Sequence, residues 1–262
     1  TPFGAVYSPN LTPDRDTGIG AWSDDDFYRA LHEGISPSGA RYYPAFPYPY
    51  FTKLTRDDVL AIKAYLATLT PVGHSAPPPD LIWPLNHRAT MRGWNFLYFS
   101  PGTFEVNPQK NDQWNRGAYL VEGPGHCGAC HTPKNFFGAD RPDQAVVVGE
   151  SVGGVFPRPD SAPRSGLASW SATDISEYLQ SGRNGKSHAS GPMAEVIVNS
   201  TSRMSDADVQ AMAVYLKDLP AGAPEPAVTP PSPQQMASGA KIYDGACVAC
   251  HALSADGDEK AG

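Results

Sequence analysis

The feature that most constrains this chain is a five-residue motif, Cys-x-x-Cys-His, which occurs twice. The motif has the sequence CGACH at 127–131 and CVACH at 247–251. The chain has 262 residues and only four cysteines, so the two motifs contain every cysteine in it. Whatever the motifs hold must therefore be central to how the chain folds and what it does.

Two thiols three residues apart on a short helix can add to the two vinyl groups of a haem, and the adjacent histidine can then reach the iron. The motif is typical of covalent haem attachment for this reason. We expect one haem c on Cys127 and Cys130 and another on Cys247 and Cys250.

Three other uses of the cysteines compete with haem. A zinc site built from all four has acceptable pair spacing, but it leaves both motif histidines unexplained. A thioredoxin-type dithiol requires a preceding strand in a βαβ context, which the sequence pattern does not show. A disulfide between the neighbouring cysteines of one motif is strained. Haem attachment accounts for the cysteines and the histidines together.

Segments with a helical pattern recur along the chain. WSDDDFYRALHEG at 22–34 matches WSATDISEYLQSG at 170–182, at an offset of 148. LTRDDVLAIKAYLATL at 54–69 matches MSDADVQAMAVYLKDL at 204–219, at an offset of 150. In the second pair, Thr or Ser is followed three residues later by Asp, which is a helix-start signal, and then by apolar residues at helical spacing. A proline follows each of these two helices and ends it.

A further repeat joins the middle of the chain to its end. NRGAYLVEGPGHCGACHT at 115–132 is similar to ASGAKIYDGACVACHAL at 237–253, with a short helix before each cysteine motif. The N-terminal part of the chain matches only the second half of such a unit. We therefore expect a third motif, with a third haem, upstream of this sequence.

These units predict a mainly α-helical chain of tandem domains. The first domain, at 1–73, and the third, at 235–262, are incomplete, and the second covers 113–222. A linker with aromatic residues and prolines occupies 74–112, and a Pro-rich linker occupies 223–234.

Charge and hydropathy exclude two classes of partner contact. The net charge is −7 and Lys and Arg form no cluster, which argues against binding of nucleic acid. No apolar run approaches the ~20 residues of a membrane-spanning helix. Any membrane association is therefore expected through parts outside this chain.

Several longer stretches resemble a known family. They include WNRGAYLVEGPGHCGACHTPKN, GRNGKSHASGPMAEVIVNST, MSDADVQAMAVYLKDLP and YYPAFPYPYFTKLTRDDV. These stretches look like the tri-haem cytochrome c subunit of membrane-bound bacterial dehydrogenases that act on alcohols, sugars, aldehydes and related substrates. The resemblance covers nearly the whole chain.

The resemblance implies that each unit is a small helical class I cytochrome c domain. It also implies that the chain carries electrons from a catalytic dehydrogenase subunit, of quinoprotein, flavoprotein or molybdenum type, to ubiquinone or a terminal oxidase. The chain would not be an enzyme by itself, and it would lie in the periplasm at the outer face of the cytoplasmic membrane. A multihaem peroxidase-like enzyme with an open first haem is the alternative, and a repeating conductive or scaffold module is a third hypothesis.

The resemblance further implies the axial ligands of the haem irons. His131 and His251 are the expected proximal ligands, and Met193 of the GPM motif is the expected distal ligand of the middle haem. A thioether is a soft, neutral donor, and His/Met ligation raises the reduction potential of cytochromes c. Met204 competes with Met193, but it aligns with Leu54 at the start of a helix, where an apolar residue packs.

The first unit departs from the family pattern at Phe46, in YYPAFPYPY, where the family often has a methionine. No methionine occurs from 1 to 90. A haem attached upstream would therefore be five-coordinate or use His32, His74 or Met91, each of which also has an ordinary structural interpretation. The distal ligand of a third haem would lie beyond the C-terminal end of the sequence.

Overall fold

The computed structural model describes residues 3–141, 149–151, 154–156, 167, 169–219 and 230–248. The chain is mainly helical in these residues, as the sequence predicts. It divides into two compact units, Thr1–Ala223 and Pro224–Gly262. No helix among the described residues is both long enough and apolar enough to cross a membrane.

The described residues contain ten α-helices and two short antiparallel ribbons. The helices are α1 (Asp24–Glu33), α2 (Tyr48–Phe51), α3 (Arg56–Leu66), α4 (Thr90–Tyr98), α5 (Asp112–Glu122), α6 (Gly128–His131), α7 (Ala172–Ser181), α8 (Gly191–Asn199), α9 (Asp206–Asp218) and α10 (Pro233–Ala246). The strands are β1 (Gly4–Ala5) with β2 (Asp80–Leu81), paired Gly4 to Leu81, and β3 (Gly149–Ser151) with β4 (Gly154–Phe156), paired Gly149 to Phe156. A 3₁₀ turn at Thr201–Arg203 joins α8 to α9.

Helices α3 and α9 begin where the sequence predicts, and α1 and α7 begin with the same kind of cap. Ser23, Thr55, Ser171 and Ser205 each accept a hydrogen bond from the backbone N–H three residues later. In α1 and α7 the aspartate at that third position also accepts from the N–H of the capping serine, which completes a capping box. These bonds satisfy N–H groups that the first helical turn leaves without partners.

Two hydrophobic cores form within the Thr1–Ala223 unit. The first core comprises Ile19, Phe27, Ala30, Leu31, Leu54 and Val59. The second core comprises Ala118, Tyr119, Leu120, Val121, Ile175, Leu179, Val209, Met212, Ala213, Tyr215 and Leu216. Helices α1 and α3 supply most of the first core, and α5, α7 and α9 supply the second. The repeat-matched Trp22 and Trp170 pack against the first and second cores, respectively.

A glycine sets the close approach of α5 and α9. A Cβ added at Gly117 would lie 1.9 Å from the carbonyl oxygen of Ala211 and 2.9 Å from the Cβ of Tyr215. Glycine has no side chain, so it lets the two backbones meet at this distance. The contact places the end of α5, and the cysteine motif that follows it, against the second core.

In the Pro224–Gly262 unit, α10 is the described helix. It begins with a capping box formed by Ser232 and Gln235, and Pro233 occupies its first turn, where a missing N–H costs little. The helix ends at Ala246, so the second cysteine motif follows it directly.

Candidate functional site

The first cysteine motif follows a sharp turn at the end of α5 and contains α6. The backbone N–H groups of Gly125 and Cys127 donate to the carbonyl oxygens of Leu120 and Val121, at 2.8 and 3.1 Å. A Cβ at Gly125 would lie 2.6 Å from the Leu120 carbonyl oxygen, so this turn of the backbone requires glycine. His126 then adopts a left-handed backbone, with φ of 38°. The turn ties the motif to Val121, which is fully buried in the second core.

Helix α6 brings the side chains of the motif together. The N–H of His131 donates to the carbonyl oxygen of Cys127 at 2.9 Å, and the N–H of Cys130 donates to the same oxygen at 3.2 Å. Residues three and four apart on a helix are neighbours on its surface, so both thiols and the imidazole share one face. Cys130 is exposed, whereas Cys127 and His131 are partly buried. Burial raises the pKa of the Cys127 thiol to about 11.

Met193, the expected distal ligand, lies in the first turn of α8. Its side chain and that of Cys127 are both partly buried and pack against the second core. Met204 also packs against this core. The second core therefore borders the first cysteine of the motif and both candidate methionines.

The residues at this site fit haem c. Imidazole and thioether are the axial donors of c-type cytochromes, and a helical turn with thiols at its first and fourth positions matches the two attachment points. The ring of a haem is largely apolar, and the second core supplies apolar surface beside Cys127. Among the residues described, no group of three or more His, Cys, Asp or Glu side chains is arranged to hold a metal ion.

The second cysteine motif is only partly described. Cys247 is partly buried, and its backbone N–H donates to the carbonyl oxygen of Tyr243 at 2.8 Å, which continues the last turn of α10. Cys250 and His251 lie outside the described residues. Haem attachment at this motif stays a prediction.

The residues considered as distal ligands in the first unit have structural contacts. His32 stacks on Tyr28, with ring centroids 4.9 Å apart, and Met91 is only 3% exposed. The backbone N–H of His74 donates to a threonine hydroxyl at 3.0 Å. Phe46, which stands where the family often has methionine, packs against the first core.

A polar cluster beside α6 is not apparent from the sequence pattern. The hydroxyl of Tyr50 donates to the carboxylate of Asp140, and the ammonium group of Lys134 binds the same carboxylate. We call Tyr50, Lys134 and Asp140 the α6 clamp. Tyr50 and Asp140 are 90 residues apart, so the tertiary fold brings them together. The sequence signal nearest to the cluster is the lysine three residues after His131.

Known proteins match the chain along most of its length. It is 40% identical over 257 residues to one of the subunits of nicotinate dehydrogenase from Pseudomonas putida, and the match covers 96% of this chain and 22% of that protein. It is 35% identical over 285 residues to the fructose dehydrogenase cytochrome subunit of Gluconobacter japonicus, and this match covers 99% of this chain and 58% of that subunit. It is 41% identical over 222 residues to a diheme cytochrome c-type protein of Cereibacter sphaeroides, which covers 84% of this chain and 74% of that protein.

The chain belongs to the c-type cytochromes. The resemblance to cytochrome c subunits of dehydrogenases is thereby confirmed. No protein-family model matches this cytochrome chain. The chain spans 22% and 58% of the two dehydrogenase subunits, so each of these relatives contains parts that it does not match.

Proposed function

We propose that this c-type cytochrome is the electron-transfer part of a dehydrogenase complex. The observation that carries the proposal is the turn of α6, which places two thiols and an imidazole on one face beside an apolar core. A relative that covers 99% of the chain is named as the cytochrome subunit of a dehydrogenase. In this role the chain makes and breaks no bonds in the substrate.

In the proposed middle site, Cys127 and Cys130 hold haem c through thioether bonds and His131 binds its iron. Met193 is the proposed distal ligand. The resemblance of its GPM motif to the family supports this assignment, and its side chain packs against the same core as Cys127. When bound, the haem supplies a one-electron Fe(III)/Fe(II) couple. The apolar side chains of the second core limit the access of water, and the His/Met pair favours a high reduction potential.

The second motif holds another haem c on Cys247 and Cys250, with His251 as its proximal ligand. Tandem helical cytochrome c domains at 1–73 and 113–222, with a third beginning near the second motif, account for the internal repeat. The support is the matched capping of α1 with α7 and of α3 with α9, and the separate core beneath each pair. The same repeat supports a third haem, attached to a motif outside this sequence.

The electron donor in this proposal is a dehydrogenase catalytic subunit of quinoprotein, flavoprotein or molybdenum type, and the acceptor is ubiquinone or a terminal oxidase. Covalent haem attachment and the family support a location in the periplasm, at the outer face of the cytoplasmic membrane. The peroxidase-like alternative has no support among the relatives, whose names describe dehydrogenase subunits and a cytochrome.

The intact mass of the denatured chain tests haem attachment. Covalent haem survives denaturation, whereas a bound zinc ion does not. With the chain produced in a bacterial periplasm that contains the haem-attachment machinery, we expect two haem additions. The Cys127→Ala/Cys130→Ala variant should carry one haem, and the matched Cys247→Ala/Cys250→Ala variant should also carry one. A bare polypeptide mass for the unsubstituted chain would overturn the proposal.

The two candidate methionines provide a matched pair of variants. Met193→Leu should lower the reduction potential of the middle haem and abolish the absorption band of His/Met ligation, because leucine offers no donor atom. Met204→Leu should leave both unchanged, because leucine keeps the apolar packing against the second core. The opposite result would assign the distal ligand to Met204.

A further inference from the structure

The α6 clamp binds the backbone of the haem-attachment motif. The ammonium group of Lys134 donates to the carbonyl oxygen of Gly128 at 3.1 Å and to the hydroxyl of Tyr50 at 3.2 Å. The same ammonium pairs with the carboxylate of Asp140. Gly128 lies between the two cysteines of the motif, so the clamp contacts α6 directly.

The ring of Tyr50 also packs against the motif. A Cβ added at Gly128 would lie 2.9 Å from Cε1 of Tyr50, so the ring touches the backbone of α6. The next residue, Phe51, makes an edge contact with the ring of His126, with centroids 5.5 Å apart. Burial raises the pKa of the Tyr50 hydroxyl, and the charge of Asp140 raises it further, so the hydroxyl stays neutral and donates. Helix α2 therefore contacts both sides of the first cysteine in the motif.

The clamp contains one positive and one negative charge. The side chains of Lys134 and Asp140 are 26% and 37% exposed, so water screens them only in part. At a distance the electrostatic potentials of the two groups largely cancel, because their charges are equal and opposite and lie in contact. Without its partner, either charge would change the electrostatic potential at an iron bound by His131, which lies three residues before Lys134.

We propose that the α6 clamp sets the reduction potential of the middle haem, by positioning the attachment helix and balancing the charge beside it. This inference rests on the proposed function, because it concerns the iron at His131. Reduction adds one electron to that iron, so ferric haem carries one more positive charge than ferrous haem. A lone Lys134 ammonium would favour the ferrous form, and a lone Asp140 carboxylate would favour the ferric form.

Potentiometric titration of the haem-loaded chain, with Asp140→Asn and Lys134→Met variants, tests the proposal. Loss of the carboxylate should raise the potential, and loss of the ammonium should lower it. For a unit charge on the order of 10–15 Å from the iron at an effective dielectric constant of about 20, each change should alter the ratio of ferrous to ferric haem about sixfold to sixteenfold. If the clamp only held the helix in place, both substitutions would shift the reduction potential in the same direction.

A second ion pair of the same unit provides the matched control. Lys110 binds Asp218 at 2.6 Å and joins the residues before α5 to the end of α9. Lys110→Met and Asp218→Asn should leave the potential of the middle haem unchanged. Tyr50→Phe keeps the ring and both charges of the clamp, so its shift should be smaller than those of the two charge variants.

The outcomes distinguish this inference from the function on which it rests. An unsubstituted chain without a haem spectrum would overturn the proposed function. Two outcomes with a normal haem spectrum would overturn the inference about the clamp and leave the proposed function standing. In the first, Asp140→Asn and Lys134→Met shift the reduction potential in the same direction. In the second, their shifts are no larger than those of the control variants. If Asp140→Asn does not fold, Lys134→Met/Asp140→Asn replaces it, because removing both charges should restore a potential near that of the unsubstituted chain. A double variant shifted as far as Lys134→Met would overturn the clamp.

Discussion

The two helical pairs of the internal repeat, α1 with α3 and α7 with α9, differ on one face of their second helix. Ile62 and Tyr65 of α3 are 37% and 68% exposed. Their repeat partners in α9, Met212 and Tyr215, are 2% and 4% exposed. The same positions of one helical pattern are therefore open to solvent in one copy and buried in the other.

Helix α5 accounts for the difference. It packs along α9 through Gly117, whereas α1 is the helix, among those described, that packs extensively along α3. Val59 and Val209, which face the partner helix in each pair, are both fully buried. The repeat thus fixes one buried face in both copies, and a second buried face forms where another helix covers it.

Substitution of Gly117 by valine should have the largest effect on stability, because it disrupts the contact of α5 with α9 that distinguishes the two copies. The added Cβ would lie 1.9 Å from the carbonyl oxygen of Ala211, so α5 and α9 must separate. We expect the free energy of unfolding to fall by about 3 kcal/mol or more, as urea denaturation followed by circular dichroism would measure. Gly93→Ala is the control, because an added Cβ there meets nothing within 4 Å in α4. It should stabilise the chain by up to about 1 kcal/mol, and equal stability of the two variants would contradict the close contact.

Truncation of the side chains at one pair of matched positions, Ile62 and Met212, tests the same difference with a smaller effect on stability. Met212→Ala should lower the free energy of unfolding by about 2–5 kcal/mol, because it leaves a cavity in the second core. Ile62→Ala should cost less than about 1 kcal/mol, because Ile62 already contacts water. The same denaturation experiment measures both. Similar losses would show that a further segment covers the face of α3 in solution.

Local chemistry made much of the fold predictable. A threonine or serine followed three residues later by Asp predicts the start of α3 and α9, because each cap interaction lies within one turn of chain. The same signal stands at the start of α1 and α7. The cysteine motif likewise places its thiols and its imidazole on one helical face by spacing alone. Exposure of Ile62 and burial of Met212 were not predictable, since they depend on which distant helix covers each face.

The candidate site divides in the same way. Cys127, Cys130 and His131 lie within five residues of one another, so the sequence identifies them. The partners of α6 are distant in sequence, because Tyr50 reaches Asp140 across 90 residues. A pattern of single residues carries no signal for such a contact, and the aromatic-proline loop that contains Tyr50 could equally serve plain packing.

The capping boxes of α1 and α7 provide the smallest contrast between the two copies. A hydrogen bond from Ser23 is the main cause that lowers the pKa of Asp26. In the other copy, hydrogen bonds from Lys186 and Ser171 lower the pKa of Asp174 to about 2. Both values in the folded state lie below the unfolded value of about 3.9. Each carboxylate therefore stabilises the fold above about pH 4, and that stabilisation is lost as the pH falls through the folded pKa.

Asp174→Asn should therefore lower the Tm at neutral pH by more than Asp26→Asn does. Its difference from the unsubstituted chain should shrink as the pH falls from about 4 to about 2, because the protonated carboxyl then resembles the amide. Thermal unfolding over this range measures the effect, with each variant compared to the unsubstituted chain at the same pH. Lys186→Met is the control, because without the ammonium group the box of α7 should behave like that of α1. A difference that does not change with pH would mean that the ionised carboxylate is not what distinguishes the two caps.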